Sequence, residues 1–288
     1  MKKLAVLFFS LLVTASVFAF EWPQKYVTKD SFSSYFGQLN DTSFTNGIIF
    51  TEKSEIKTSE DGNVAVVITE HDDDFGWFES PLGNCVIIEH DNDIQSCYGN
   101  LDKASIPEYV YSNQITEENQ VIGKSASSGW KRYDSGLIFM IFDVRNKASV
   151  NPRILMPTLN SEQVLALYNI TLQEKYGRIY DLNKPERIKS GTYYIYKQRQ
   201  LSAVPYKTTV SVNGSYSEGV NFEVITSIDG KAFIKCNNKI YSKNIMYPDN
   251  QRILVGIASF GKGKNTLAIS VETIIGTKQT LIYQLETY

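Results

Sequence analysis

The chain has 288 residues, 42% hydrophobic, 12% aromatic and 21% charged. That composition excludes a disordered tail, a collagen-like repeat and a small disulfide-built miniprotein. With 29 Lys and Arg against 31 Asp and Glu, the chain lacks the basic excess of a nucleic-acid binder. Two His and three Cys are few for a His-built metal centre or a disulfide scaffold.

Met1–Ala19 reads as an export leader. Lys2 and Lys3 form the basic start, Leu4–Val13 is nearly all apolar, and Val17 and Ala19 are the small residues before a cleavage point. The apolar run is short for a bilayer span and is interrupted by Ser10, Thr14 and Ser16. The expected mature chain starts at Phe20, has no membrane span and is periplasmic or secreted.

After the leader, strand signals dominate. Gly47–Phe50, Val64–Thr69, Cys85–Glu89, Ile94–Tyr98, Gln120–Ile122 and Leu137–Val144 are β-rich runs between Gly, Asn, Asp and Ser clusters. Cys85 and Cys97 flank a turn at His90–Asp93. Facing strands there allow a disulfide, in an exported protein, and equally allow two buried free thiols. Asp30–Tyr35 and Ser161–Tyr168 are helix candidates, the second with Ser161 as cap.

Seven further β runs follow, from Gly191–Gln198 to Gln279–Leu285. Leu267, Ile269 and Val271 alternate with Thr266, Ala268 and Ser270, as in a strand with one wet face. The expected class is mainly β. Residues 20–160 make a first domain, 161–185 a linker with a short helix, and 186–288 a two-sheet sandwich.

An ordered set of landmarks lies between residues 44 and 157. Phe44–Phe50 occupies an H-x-G-x-D strand. Leu82–His90 follows a G-N-x-V-I-I-x-H pattern. Tyr98-Gly99-Asn100-Leu101 stands for Y-x-H-L. Val121-Ile122-Gly123, Ser128-Gly129, an H-x-H-F-E strand at Leu137–Val144, and Val150-Asn151-Pro152 complete the set. In this order and spacing the segment resembles the LytM-like, M23-family zinc endopeptidases of bacterial cell walls. The last hundred residues resemble the Ig-like β-sandwiches appended to exported bacterial proteins.

The resemblance implies a tetrahedral zinc with an open position and two further catalytic His. Aligned residue by residue, the metal positions are Thr45, Ile49 and Ile141, and the catalytic-His positions are Asn100 and Phe139. None can do the family's work, so no catalytic residue, no metal ligand and no cofactor is assigned. His90 occupies a non-ligand position. The loops that wall the family's cleft carry Phe75, Trp77, Trp130 and Tyr133, with Tyr98 at the floor. These aromatics either stack on a sugar or peptide or pack the cleft shut.

Three functions follow as expectations. The first is a non-catalytic envelope protein that binds cell-wall glycopeptide (peptidoglycan) or another envelope protein, or regulates a partner hydrolase. The second is a zinc endopeptidase with atypical ligands. The third is a structural or adhesive envelope protein.

Overall fold

Short apolar runs punctuated by turn residues build antiparallel sheets along almost the whole chain. The computed structural model describes residues 20–40, 43–71, 80–112, 115–129, 136–175, 177–184 and 187–288. The leader reading of residues 1–19 falls outside them, as do Phe75, Trp77, Trp130 and Tyr133.

The larger sheet has eleven strands. Its centre is the hairpin Asn84–His90 and Ile94–Leu101, closed by a turn in which Asn92 and Asp93 take φ of 61°. Asn and Asp tolerate that left-handed conformation. Ile138–Asp143 pairs with the second hairpin strand and, on its other side, with Ile48–Phe50 and Ala148–Val150. One face of these strands buries Ile48, Phe50, Val86, Ile88, Tyr98, Phe139 and Ile141 in a single core. Each large side chain taken fully from water contributes about 2 kcal/mol.

The C-terminal part is a sandwich of two four-stranded antiparallel sheets. One holds Ile179–Asp181, Thr171–Glu174, Gly191–Gln198 and Arg252–Phe260. The other holds Ser215–Tyr216, Lys207–Val212, Gly263–Glu272 and Lys278–Thr287. Leu172, Ile195 and Val255 from the first meet Val210, Leu267, Ile269 and Val271 from the second. The apolar half of the alternation read around residues 266–271 is observed, with Leu267, Ile269 and Val271 fully buried; the other face is not wet, since Thr266 and Ala268 are half-buried and Ser270 is buried.

The segment read as a linker, 161–185, holds two strands of the sandwich, Thr171–Glu174 and Ile179–Asp181. Three further details differ from the sequence expectations. Val224–Ile228, Lys231–Cys236 and Lys239–Ser242 are strands, but they leave the sandwich and extend the larger sheet, with Ser149 opposite Ile225. Asn151 fastens this junction: its backbone N–H donates to Glu223 O at 2.8 Å and its Nδ2 to Phe222 O at 2.8 Å. A third core, with Phe36, Phe44, Phe222, Ile234, Tyr247 and Leu254, fills the space between the two assemblies.

Second, Ser161–Tyr168 is not helical. The segment has no regular secondary structure, with Leu165 and Leu167 buried and Val164 and Tyr168 exposed. Its backbone groups find side-chain partners instead of helical ones: Ala166 N–H donates to Gln200 Oε1 at 2.9 Å, and Lys197 Nζ donates to Ala166 O at 2.9 Å. Lys197 is 1% exposed, and burial pulls its ammonium down to about 8. Arg153 pairs with Glu162 in a half-buried bridge that anchors the start of the segment. Third, Phe32–Ser34 is a strand paired with Ile48–Phe50, not a helix.

The cysteines stand on one face of the hairpin. Cys97 lies opposite Ile87, and Cys85 sits two residues along, so the thiols meet diagonally beside Met140. All three cysteines are free thiols. Diagonal partners stand farther apart at the backbone than directly opposed ones, which works against bridging. The hydrogen bond between the pair lowers the Cys85 thiol and, with burial, raises Cys97 well above its ordinary value.

Candidate functional site

Where Ile48–Phe50 crosses Ile138–Asp143, the chain needs Gly47. A Cβ there would lie 2.3 Å from Phe139 O, so only glycine allows the two backbones to approach this closely. The approach sets Ile49 opposite Ile138 on one face and Ile48 opposite Phe139 on the other. The first face opens into a recess of about 210 Å³ lined by Thr45, Ile49, Leu82, Asn100, Ile138 and Met140, among others.

Asn100 controls the recess wall. Its φ is 65°, and it is buried. Its Oδ1 accepts from Ser128 N–H at 2.8 Å and Gly129 N–H at 3.0 Å. Its Nδ2 donates to Ala126 O and Gly136 O, both at 2.7 Å. Ser128 Oγ in turn accepts from Asn84 N–H at 3.0 Å and donates to Leu101 O at 2.8 Å. The landmark residues Asn84, Asn100, Ser128 and Gly129 therefore form one hydrogen-bonded knot that fixes the loop over the hairpin.

Three of the five expected site positions, Thr45, Ile49 and Asn100, come together at this recess. Phe139 and Ile141 do not. Both point into the large core on the opposite face, where the Phe139 ring stands 5.2 Å from Tyr98. Ile138 and Met140 take their place on the recess face. A one-residue slip in strand register exchanges the faces, and the unbroken apolar run Ile138-Phe139-Met140-Ile141-Phe142 offers no polar residue to fix that register.

Tyr98 also moves out of the expected groove. It is fully buried on the core face, and its Oη accepts from Ser59 N–H at 2.8 Å. Burial raises its phenol above the ordinary value. The other three groove aromatics, Trp77, Trp130 and Tyr133, lie outside the described residues.

His90 is a structural residue. Its Nδ1–H donates to Asp61 O at 2.7 Å, its Nε2 meets Ser96 Oγ at 2.7 Å, and its ring packs edge-on to Phe20 at 5.0 Å. Burial lowers its pKa, against the opposing pull of the Asp61 carbonyl and the Asp61 and Asp91 carboxylates.

Residues 43–152 match the family model described as peptidase family M23. This segment is an M23-family domain. A second family model covers residues 164–288.

Three solved structures are similar to the chain. One chain from the crystal structure of the SpoIIIAH and SpoIIQ complex is 20% identical, with TM-score 0.34 over 43% of this chain and 93% of that chain. A zinc-containing peptidase from Vibrio cholerae is 22% identical, with TM-score 0.37 over 49% of this chain and 40% of that chain. A chain of the SpoIIQ–SpoIIIAH pore-forming complex is 20% identical, with TM-score 0.32 over 45% and 87%. No curated protein matches the chain.

The described residues at the family's metal positions do not fit its zinc. Both lone-pair sites and both amide hydrogens of Asn100 are engaged by backbone groups, so it cannot turn to a metal. Ile49 and Ile138 have no donor atom, and the Met140 thioether is a soft, neutral group that suits copper(I) better than zinc. Among the described residues, His, Cys, Asp and Glu form no group of three that could hold a metal ion. Among the described residues that line the recess, Thr45 carries a buried Oγ1 without a hydrogen-bond partner. A neutral hydroxyl among apolar side chains can accept or donate one hydrogen bond; it cannot lower the pKa of a water.

Proposed function

We propose that this chain is a non-catalytic protein of the cell envelope whose M23 domain binds cell-wall glycopeptide at the recess lined by Thr45, Ile49 and Asn100. The observation that carries the reading is the recess itself. The knot around Asn100 walls it, and the lining beneath holds Ile49, Ile138, Met140 and the unpaired Thr45 hydroxyl. A small apolar group, such as the methyl of an alanyl residue, fits such a lining, and the Thr45 hydroxyl supplies one polar contact.

The basic start and apolar run of Met1–Ala19 support export. Among the described residues no helix is long and apolar enough to cross a membrane. Regulation of an active hydrolase follows if the domain occupies peptide stems without cutting them.

Retention on isolated sacculi tests the proposal. Leu82→Trp places a bulky ring in the recess and leaves the Asn100 knot untouched. The expected result is that the unsubstituted chain co-sediments with sacculi and the variant loses about tenfold in affinity, the effect of roughly 1.4 kcal/mol. Equal retention of the two proteins, or no retention of either, would count against the recess as a glycopeptide site.

A further inference from the structure

Most strands at the sheet edges are short. Lys239–Ser242, Ile115–Thr116, Ile179–Asp181 and Ser215–Tyr216 each span four residues or fewer. The longer edge strand Arg252–Phe260 is sealed by side chains, with Thr208 Oγ1 donating to Val255 O and Ser217 Oγ to Ile257 O at 2.5 and 2.8 Å. Short or covered edges are how folded proteins avoid pairing with other chains.

The last strand, Lys278–Thr287, breaks this rule. It has ten residues, is paired in unbroken register with Gly263–Glu272 on one side, and contains neither proline nor bulge. At its far end the edge is closed: Ile188 N–H donates to Glu286 O at 3.2 Å and Tyr288 N–H donates to Ile188 O at 3.1 Å. These bonds also reveal the phase of the strand. Residues of even number turn their N–H and C=O outward, so Lys278, Thr280, Ile282 and Gln284 present the open ladder. Among the described residues no backbone pairs with them there. Ile282 is 66% exposed in the middle of this stretch.

We propose that the open edge Lys278–Gln284 pairs antiparallel with the same edge of a second copy of this chain, joining the two sandwiches through a continuous sheet. The length of the opening selects the register. It is bounded by the start of the strand on one side and by Ile188–Ser190 on the other. The two-fold arrangement that fills it without displacing Ile188 sets Leu281 on the axis. Lys278 then faces Gln284 of the second copy, and Thr280 faces Ile282. No like charges are opposed, and the two Ile282 side chains are diagonal neighbours within reach. The exposed row is already held in place from below, by Ser270 Oγ at 2.8 Å from Thr280 Oγ1 and by Thr266 Oγ1 at 3.0 Å from Gln284 Oε1. The isologous contact closes on itself, so it ends at a dimer. It is independent of the glycopeptide reading, and its effect would be to present two M23 domains on one particle.

Sedimentation velocity on the intact chain at tens of micromolar is the test. The expected result is a dimer, and Ile282→Lys, on an exposed site, weakens it by about tenfold or more with an unchanged thermal midpoint. Leu281→Cys, whose two copies meet on the axis, is expected to cross-link under mild oxidation. A monomer at these concentrations overturns the proposal, as does a dimer that Ile282→Lys leaves intact or one that Leu281→Cys cannot cross-link. Backbone amides of Lys278–Gln284 that gain hydrogen-exchange protection only when an envelope extract is added would assign the edge to another protein, and would also overturn it.

Discussion

Asn100→Ala is expected to destabilise the M23 domain by about 4 kcal/mol. The side chain satisfies four backbone groups, the N–H of Ser128 and Gly129 and the C=O of Ala126 and Gly136. Each buried group left unpaired costs about 1–3 kcal/mol, and water entering beside the recess recovers part of the total. A further cost of about 1 kcal/mol comes from holding alanine at φ of 65°. All three tryptophans, Trp22, Trp77 and Trp130, belong to the first 130 residues. Urea unfolding followed by tryptophan fluorescence therefore reports this domain rather than the sandwich. A loss below about 1 kcal/mol would mean that the knot does not hold the recess wall. The same substitution leaves the recess lining otherwise intact, so its effect is on folding and not on a catalytic group.

The second large effect separates the two faces of one strand. Phe139→Ala is expected to cost about 4 kcal/mol, because the ring is fully buried against Tyr98 and its removal leaves a cavity in the main core. Ile138→Ala, one residue earlier, should cost about 1 kcal/mol, since Ile138 is half-buried and already borders open space. The fluorescence-detected urea transition measures both. The reverse ranking would put Phe139 on the recess face and Ile138 in the core, and would restore the arrangement that motif alignment alone gives.

That pair of residues also shows where the sequence stopped being readable. The hairpin around His90–Asp93 was legible because Asp and Asn mark its turn and apolar runs flank it. The M23 landmarks were legible because glycine, asparagine and serine recur at fixed spacing, and the structure explains why: Asn84, Asn100, Ser128 and Gly129 bond to one another. The strand Ile138–Asp143 was legible as a strand only. Five consecutive apolar residues carry no alternation, so its register, and with it two of the site positions, could not be read locally.

Tertiary contacts decided the remaining differences. Ser161–Tyr168 has an acceptable helix start, yet Lys197 and Gln200, thirty residues away, take its backbone groups. Val224–Ser242 has strand character that local pattern cannot assign to one sheet or another. Its place beside Ala148–Val150 is fixed by the long-range bonds from Asn151 to Phe222 and Glu223.

The M23 domain lacks the donor atoms to hold a divalent ion: among its described residues, His, Cys, Asp and Glu form no group of three that could do so. Metal analysis of the purified protein after exposure to equimolar zinc and extensive dialysis addresses that statement directly. The expected result is far less than one zinc per chain, with no cleavage of cross-linked wall peptide. One tightly retained zinc per chain, together with wall-peptide cleavage that a chelator abolishes, would contradict it.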